Sequence, residues 1–429
     1  MRRPRWRLAA LLALLALAGC GGFAGVAPTG WALTPPRGPL RPGEVIVHWE
    51  EPPGEAAAVA LAAAVGGTLL ARRGTLELVR VAAGSEWATC QALRGRPGLR
   101  GAEPNRLVRS QHQGALRPAR GLLARPNDEA LVASSPQAGV AATWGLAAIR
   151  AEAAWEVTAG DPGIVVAVID TGIDMSHPDL AANVDRAGAR NLVEAGQPPD
   201  DDFGHGTHVA GIVAAVGDNG QGGCGVAWRG RVLPIRVLGV DGTGSTWNTV
   251  AALDYAVSRG AAVANLSLGS PDYSPLEAEA VQRAVAAGTV VVAAAGNEAG
   301  DGNYLEYPAS YPGVISVGAV GPDLRRTVFS NFNSWVTLAA PGVDVFSTIP
   351  TRLSPGVPYG YLSGTSMAAP MVAGAAALLL TQNPGWTPAQ VTERLKRTAR
   401  DLTPAGDPVP GFDVFHGAGL LDVGRGLGR

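Results

Sequence analysis

Apolar and polar positions divide the chain into two folded parts. In the N-terminal part, alternating segments at Glu44–Trp49 and Thr75–Val81 predict strands, and segments at Ala56–Val65 and Trp87–Leu93 predict helices. Ala102–Arg106 ends this part. We expect a small α+β unit of about 70 residues with the order β-α-β-α-β.

The second part begins near residue 144 and alternates short, continuous apolar runs with helical patterns. Such runs predict strands that are buried on both faces of a parallel sheet covered by helices. The predicted strands are Ile164–Ile169, Val232–Leu238, Ala262–Leu268, Thr289–Ala295, Val314–Val320 and Val336–Ala340. The predicted helices are His208–Val216, Trp247–Arg259, Leu276–Ala287, Ser366–Leu380 and Pro388–Thr398, the last with a capping box from Thr387 to Gln390.

Composition excludes several classes of protein. With 47% hydrophobic and 16% charged residues among 429, the chain is not intrinsically disordered. Its 34 Lys and Arg against 36 Asp and Glu leave a net charge of −2, which argues against a nucleic-acid partner. The three cysteines form no CxxC pair, which argues against a structural zinc site or an iron–sulfur cluster.

The first twenty residues have the pattern of an export signal. Arginines at positions 2, 3, 5 and 7 precede the apolar run Leu8–Ala18, which has the length of a signal-peptide core. The run ends in Leu17-Ala18-Gly19-Cys20, which resembles a bacterial lipobox with Cys20 as the lipidated residue. The alternative is an ordinary secretory signal with a nearby cysteine. Both interpretations predict an extracytoplasmic protein, either lipid-anchored to the cell envelope or released.

Three short segments carry candidate chemistry. Asp170 ends an apolar strand in Val168–Gly172, His205 begins a small-residue helix in Gly204–Gly211, and Ser366 lies at the first turn of a helix in Gly364–Pro370. Taken singly, the Asp could cap a turn, the His could be a capping or metal-binding residue, and the Ser could be an N-cap.

Together, the three residues indicate nucleophilic catalysis. A serine hydroxyl needs a base with a pKa near 7, and that histidine needs a carboxylate to fix its tautomer and stabilise the imidazolium. The order Asp170, His205, Ser366 is the subtilisin order. From about residue 125 to its end, the chain resembles the subtilisin-like serine proteases, most closely the thermitase-like members. No GxSxG elbow surrounds Ser366, which argues against an esterase or lipase.

The resemblance implies a fold and a substrate site. The fold would be a doubly wound, mostly parallel α/β sheet with helices on both faces. Asn297 would donate to the oxyanion together with the Ser366 backbone N–H. Substrate would add as an extended strand between the segments Ser267-Leu268-Gly269 and Gly242-Thr243-Gly244.

Two acidic residues bear on selectivity. By resemblance, Glu306 lies at the floor of the main specificity pocket and Glu298 near its rim, where they would favour Arg or Lys before the cleaved bond. In the alternative, Glu306 points to solvent. Pro308 would follow a cis peptide bond.

Calcium is the cofactor that the resemblance implies, in a structural role. The strong site would take Asp179, the loop residues Val216, Asn219 and Gln221, and the N-terminal ligand Asp128. The triplet Asp200–Asp202 would form a weaker site. Each of these could instead be a solvated turn residue.

The resemblance also organises the chain as a precursor. The expected segments are a lipoprotein-type signal at 1–20, a linker at 21–42, a propeptide at 43–110, a cleavage and linker region at 111–127 and the catalytic domain at 128–429. The propeptide would assist folding and act as an intramolecular inhibitor. We expect a monomeric serine endopeptidase acting on proteins or peptides. The alternative is an inactive surface lipoprotein of the same fold that serves as a binding module.

Overall fold

The computed structural model describes residues 35–118, 143–402 and 411–429. The strands in these ranges are β1 (Leu40–Trp49), β2 (Thr68–Arg73), β3 (Leu76–Arg80), β4 (Leu99–Ser110), β5 (Gln113–Pro118), β6 (Val165–Asp170), β7 (Arg190–Asn191), β8 (Arg231–Arg236), β9 (Thr243–Ser245), β10 (Val263–Leu266), β11 (Leu268–Gly269), β12 (Val290–Ala294), β13 (Val314–Val320), β14 (Val336–Pro341), β15 (Val345–Thr348) and β16 (Tyr359–Ser363). The helices are α1 (Glu55–Ala64), α2 (Glu86–Leu93), α3 (Trp144–Ala148), α4 (Ala151–Trp155), α5 (His205–Ala214), α6 (Thr246–Ser258), α7 (Pro275–Ala286), α8 (Thr365–Gln382), α9 (Pro388–Thr398) and α10 (Val423–Gly426).

A seven-stranded parallel sheet forms the centre of the larger part, in the order β14-β13-β12-β10-β6-β8-β7. Successive side chains of a strand point to opposite faces, and both faces of this sheet are covered. Val166 and Val168 of β6 pack in the core that contains α5 and α8. Ala167 and Ile169 pack in the core that contains α6 and α7. The predicted α/β class is confirmed. The strands are continuous apolar runs because both of their faces are buried.

Helix α8 crosses this core. It has the length and hydropathy of a membrane span, but it is almost entirely buried within the protein. Its first turn contacts Ser267 and Asn297, which follow β10 and β12 at the carboxyl edge of the sheet.

The smaller N-terminal part is an antiparallel sheet with two helices, in the order β4-β1-β3-β2. One face packs Val45, Val47 and Val79 against α1 and α2. The other face places Ile46 and Leu78 in the same apolar cluster as α6 and α7 of the larger part. Each face of this sheet is therefore buried against a different partner.

The observed order is β-α-β-β-α-β, so the predicted β-α-β-α-β order omitted β2. That strand lies at the sheet edge, and its sequence TLLARR has too few apolar residues to stand out and does not alternate apolar and polar positions in step with its burial. Strand β1 also starts at Leu40, inside the predicted linker at 21–42, because Leu40 pairs with Arg106.

A further strand, β5, lies in the region 111–127 that composition assigned to a linker. It pairs antiparallel with β16, next to β15. Pairing with a distant segment, rather than local propensity, makes this polar stretch a strand.

Candidate active site

The sheet and helix α5 bring the predicted acid and base together. Strand β6 ends at Asp170, and α5 begins at His205, both almost fully buried. Asp170 Oδ1 lies 2.7 Å from His205 Nδ1 and also accepts a 2.7 Å hydrogen bond from the Thr171 N–H. Because the carboxylate accepts from Nδ1–H, the neutral imidazole keeps its lone pair on Nε2. That is the tautomer required of a base.

A second buried carboxylate holds this pair in place. Asp201 accepts hydrogen bonds from the Thr171 hydroxyl, the Gly204 N–H, and both the N–H and the hydroxyl of Thr207. It thereby joins the end of β6 to the first turn of α5. The first turn carries His205, so its ring is fixed against Asp170.

These contacts contradict the weaker calcium site predicted at Asp200–Asp202. Asp201 is occupied by protein donors, and Asp202 forms ion pairs with Arg236 and Arg352. Both Asp202 oxygens are thus paired with guanidinium groups, which a cation would have to displace.

Ser366 occupies the expected first turn of α8, but its hydroxyl points away from the base. The hydroxyl donates to the Ser267 carbonyl oxygen at 2.9 Å, and the Ser366 N–H donates to the Gln111 carbonyl oxygen at 2.9 Å. His205 Nε2 has no hydrogen-bond partner among the described residues. The hydrogen bond between Ser366 and His205 that a complete triad requires is therefore not formed in this conformation. A rotation about χ1 would redirect the hydroxyl.

Asn297 is oriented by the residue before the serine. Its side-chain oxygen accepts from the Thr365 N–H at 2.9 Å and from the Thr365 hydroxyl at 3.1 Å. Its amide nitrogen therefore faces Gln111, where it lies 3.4 Å from the side-chain oxygen Oε1. A Cβ at Gly364 would lie 2.6 Å from the Gln111 carbonyl oxygen and 3.4 Å from Asn297 Nδ2, so this space admits no side chain.

The two predicted substrate segments enclose a strand of the chain itself. The end of β4 runs antiparallel between β9 and β11 and bonds along both edges. The contacts are Val108 with Gly244, Arg109 with Thr243 and Gly269, Ser110 with Gly242 and Leu268, and Gln111 with Ser267. All six residues of the two predicted substrate segments thus contact the segment that ends at Gln111.

The Gln111–His112 peptide lies between the two halves of the site. Its carbonyl oxygen accepts from the Ser366 N–H, and the His112 ring centroid lies 5.1 Å from that of His205. Burial, with a smaller contribution from His205, lowers the pKa of His112 to about 3 and keeps its ring neutral. Sequence reasoning singled out neither Gln111 nor His112, because no local pattern marks a bond that is selected by strand register.

The pocket beside Gln111 is acidic. Glu306 is 2% exposed, so the alternative in which it points to solvent is wrong. A Cβ at Gly269 would lie 2.5 Å from Glu306 Oε2 and 3.3 Å from Gln111 Nε2, so the carboxyl and the amide share one space. Burial, together with the charge of Glu298, raises the pKa of Glu306 well above its usual value. The Tyr307–Pro308 peptide bond is cis, as predicted.

Part of the predicted calcium site is described. Asp179 is fully buried; its Oδ1 accepts from Asn219 Nδ2 at 2.7 Å, and its backbone oxygen accepts from the Val216 N–H at 2.8 Å. Asn219 Oδ1 in turn accepts from the Gln221 N–H at 3.0 Å. Asp179 Oδ2 forms no hydrogen bond of good geometry in the described ranges, although the Gly223 N–H and the Tyr359 hydroxyl lie close to the carboxyl. Burial raises the pKa of this carboxyl to about 7.

A buried carboxylate with an oxygen that lacks a well-aligned donor, beside a loop with amide and carbonyl oxygens, fits a hard cation such as Ca²⁺. Within the described ranges, however, no group of three or more His, Cys, Asp or Glu residues is placed to hold a metal ion. Asp128 lies outside the described residues, as does Cys20.

Comparison with known proteins adds a second line of evidence. The sequence profile of the Subtilase family matches residues 161–419, and that of the fervidolysin N-terminal prodomain matches residues 30–105. Over 282 residues, 65% of the chain, the sequence is 42% identical to Subtilisin of Bacillus pumilus, covering 96% of that protein. The same extent and identity relate it to Subtilisin E of Bacillus subtilis (strain 168), of which it covers 70%.

Among solved structures, the chain is similar to fervidolysin from Fervidobacterium pennivorans, described as a keratinolytic enzyme related to subtilisin. The TM-score is 0.74 at 28% sequence identity, over 92% of this chain and 62% of that one. The chain thus spans less than two thirds of the fervidolysin chain.

Proposed function

Because this chain belongs to the subtilase family and is a serine endopeptidase of the subtilisin type with a prodomain, we propose that it hydrolyses peptide bonds through Asp170, His205 and Ser366. One observation carries this assignment. The Gln111–His112 peptide has its carbonyl oxygen on the Ser366 N–H and its leaving-group side beside a histidine that is paired with a buried carboxylate.

The proposed chemistry follows from the hydrogen bonds that Asp170, His205 and Ser366 make. Once its hydroxyl turns from Ser267 to His205 Nε2, Ser366 Oγ attacks the carbonyl carbon while Nε2 takes the hydroxyl proton. Asp170 stabilises the resulting imidazolium through Nδ1–H. The imidazolium then gives its proton to the leaving amine, so the C–N bond breaks and an acyl ester remains on Ser366. Water, activated by the same base, hydrolyses that ester.

The oxyanion of each tetrahedral intermediate needs preorganised donors. The Ser366 N–H already faces the carbonyl oxygen of Gln111. Asn297, held by Thr365, would supply the second donor after a small shift of its amide from the Gln111 side chain to that oxygen.

We infer that the chain is an autoprocessed zymogen and that Gln111–His112 is the maturation bond. Strand β4 delivers this peptide to Ser366 as the last part of the prodomain. After cleavage, β4 would remain between β9 and β11, so the prodomain would act as an intramolecular inhibitor. The natural targets are proteins or peptides bound in the same extended manner, and we propose a monomer with no nucleic-acid partner.

A direct test combines active-site labelling with N-terminal sequencing. The purified wild-type chain should react with a fluorophosphonate probe and yield a fragment that begins at His112. The Ser366→Ala variant should stay full length and unlabelled. Labelling of the Ser366→Ala variant would contradict the assignment of the nucleophile. Intramolecular, first-order cleavage of the wild-type chain at another bond would contradict the assignment of the maturation site. Wild-type protein that never reacts would favour the inactive binding module, which the comparisons do not support.

The acidic pocket bears on selectivity. We propose that Glu306, with Glu298 at the rim, accepts a neutral amide such as Gln111 while it is protonated and an Arg or Lys side chain once it is ionised. Cleavage rates for peptides that differ only at the residue before the cleaved bond test this, and equal rates for Gln, Arg, Leu and Phe would remove it.

Calcium is proposed as a structural ion held by Asp179, Asn219, Gln221, the Val216 carbonyl and Asp128. It would supply a positive charge to the buried carboxylate and tie the surrounding loop. Calcium should raise the unfolding temperature of Ser366→Ala protein, and Asp179→Asn should abolish that rise. An equal rise in both proteins would place the ion elsewhere.

We also propose export, with lipidation of Cys20 retained as a hypothesis. Cleavage at Gln111–His112 would leave such an anchor on the prodomain and free the catalytic part. Mass spectrometry of membrane and supernatant fractions tests both points, and mature enzyme that is still lipid-linked would contradict release.

A further inference from the structure

Strand β16 offers an edge for residues that follow the cleaved bond. We propose that β16 and its flanking loops form an extended binding site for the leaving half of a protein substrate, reaching the sixth and seventh residues after the cleaved bond. In this site, an apolar side chain is selected at the fifth position and a basic side chain at the sixth. This proposal rests on the proposed proteolytic function and on the Gln111–His112 register.

The first observation is backbone pairing. Numbered from the Gln111–His112 bond, Gln113 is the second residue of the leaving half and Arg117 the sixth. Gln113 pairs with Ser363 and Arg117 with Tyr361, antiparallel and with one irregularity between them. A Cβ at Gly360 would lie 2.7 Å from the Arg117 carbonyl oxygen, so the two backbones approach closely there. The edge of β16 is thus a template for strand addition well beyond the reacting bond.

The second observation is an apolar cradle for the fifth residue, Leu116. A Cβ placed on Gly204 would lie 3.0 Å from Leu116 Cδ2, 3.4 Å from Leu353 Cδ1 and 3.6 Å from Pro350 Cδ. Three apolar side chains therefore meet above the glycine that precedes His205. Leu353 is 41% exposed even with Leu116 against it, so this surface is open to other chains.

The third observation is a charge at the sixth residue. Arg117 forms an ion pair with Asp344, whose side chain is 16% exposed. The Asp344 N–H donates to the Ser363 hydroxyl at 2.9 Å, and that hydroxyl lies 3.4 Å from Asp344 Oδ1. The carboxylate is therefore positioned by β16 itself, independently of Arg117.

The occupant after maturation is a substrate segment and not the chain's own residues 112–118. Cleavage turns that segment into a free end, which among the described residues is held along one edge by β16, and residues 113–115 are exposed. Turnover of another substrate also requires that the leaving half of the first be cleared from the same place. The zymogen thus displays the position that a substrate would take.

The test uses mature wild-type enzyme and quenched fluorescent peptides that are identical through the third residue after the cleaved bond. One peptide ends there, one continues to the seventh residue with Leu fifth and Arg sixth, and two others replace that Leu with Ser or that Arg with Gln. We expect extension to raise kcat/KM about tenfold, chiefly through KM, as one or two added strand hydrogen bonds would. Replacing Arg with Gln should lower it about two- to fivefold, as for an exposed ion pair.

Asp344→Asn is the matched enzyme variant, because Asn keeps the shape of Asp at the left-handed φ of 46°. It should cleave the short peptide as wild type does but lose the preference for Arg over Gln. Leu353→Ser should lose the preference for Leu over Ser in the same way. No gain from extension, or unchanged preferences in both variants, would overturn the proposal.

Two controls separate this proposal from its premise and from the rival occupant. If Ser366→Ala cleaves the short peptide, the proposed catalytic function fails, whatever the extension does. If the chain's own residues 112–118 stayed on β16, lengthening the peptide would leave kcat/KM of the wild-type enzyme unchanged. It would raise kcat/KM of the Arg117→Gln enzyme, in which that segment is held less tightly. We expect Arg117→Gln and wild-type mature enzymes to respond alike.

Discussion

The two strands that flank the Gln111–His112 bond differ in how they are held. The end of β4 pairs along both edges, with β9 and β11, and Val108 is fully buried. Within the described ranges, strand β5 pairs along one edge, with β16. Both are extended segments of the same polypeptide, so the number of neighbours, and not strand propensity, sets their strength. We therefore expect cleavage to release β5 and to leave β4 in place.

Anchors in the prodomain strengthen the β4 side further. Asn105 Oδ1 accepts from the Trp247 N–H at 3.1 Å, at the first turn of α6, where backbone donors lack helical partners. Glu103 accepts from the Ser274 hydroxyl at 2.6 Å, next to α7, and pairs with buried Arg106 at 3.2 Å. The starts of α6 and α7 thus each receive an acceptor from the prodomain.

The largest expected effect is the loss of cleavage at the Gln111–His112 bond. Asp170→Asn removes the carboxylate that fixes the His205 tautomer, and kcat should fall roughly 10⁴-fold, as when the triad Asp is neutralised in other serine proteases. The precursor should then stay uncut, with β4 and β5 both in place, as intact mass measured over time would show. Asp200→Asn, at an exposed position, is the control. Normal processing of Asp170→Asn would contradict the triad.

The second-largest effect is expected from weakening the contacts that hold β4. Glu103→Ala would leave Arg106 as a buried unpaired charge, at a cost of about 3–5 kcal/mol. Because this cost opposes prodomain folding and docking, active enzyme should appear at least about tenfold sooner after cleavage. Progress curves with a peptide substrate measure this delay.

Arg100→Ala is the matched control, since it removes an exposed ion pair with Glu279 at the same interface. Such pairs contribute about 1 kcal/mol or less. Equal delays in both variants would show that the buried pair is not the anchor.

The pocket that β4 fills should respond to pH. Burial and the nearby acidic residues Glu298, Asp272 and Glu277 raise the pKa of Glu306, so this carboxyl is neutral at pH values where most are ionised. As pH rises through that value, ionisation should favour Arg over Gln before the cleaved bond, by up to about tenfold in kcat/KM. The ratio of the two rates should be independent of pH in Glu306→Gln. A wild-type ratio that falls with pH would contradict this role.

The smallest effect is expected on the β5 side. Arg117→Ala in the precursor removes a partly exposed ion pair, so the rate of cleavage at Gln111–His112 should change less than about fivefold. Time courses of precursor disappearance measure it. If the fold-change in cleavage rate caused by Arg117→Ala exceeded the fold-change in delay caused by Glu103→Ala, the proposed ranking of the two strands would be reversed.

The central sheet was predictable because its chemistry is local. A strand buried on both faces must be apolar throughout, so β6, β10, β12 and β13 stand out in the sequence. The capping box at Thr387 likewise fixes the start of α9, and the structure confirms that helix at Pro388–Thr398. Strands β2, β5 and β16 escaped prediction because they lie at exposed edges or depend on distant partners.

The candidate site shows the same division. The positions of Asp170, His205 and Ser366 follow from short motifs at the ends of strands and the starts of helices. The direction of the Ser366 hydroxyl, the burial of Glu306 and the location of Asp202 between two arginines depend on residues far away in the chain.

The sequence by itself determined the sheet, its covering helices and the order of the three reactive groups, because each follows from neighbouring residues. Tertiary structure alone decided which peptide lies against Ser366. That choice depends on the register in which β4 enters between β9 and β11, and a one-residue slip would present a different bond. Register is a property of three strands brought together from distant parts of the chain, and no single segment encodes it.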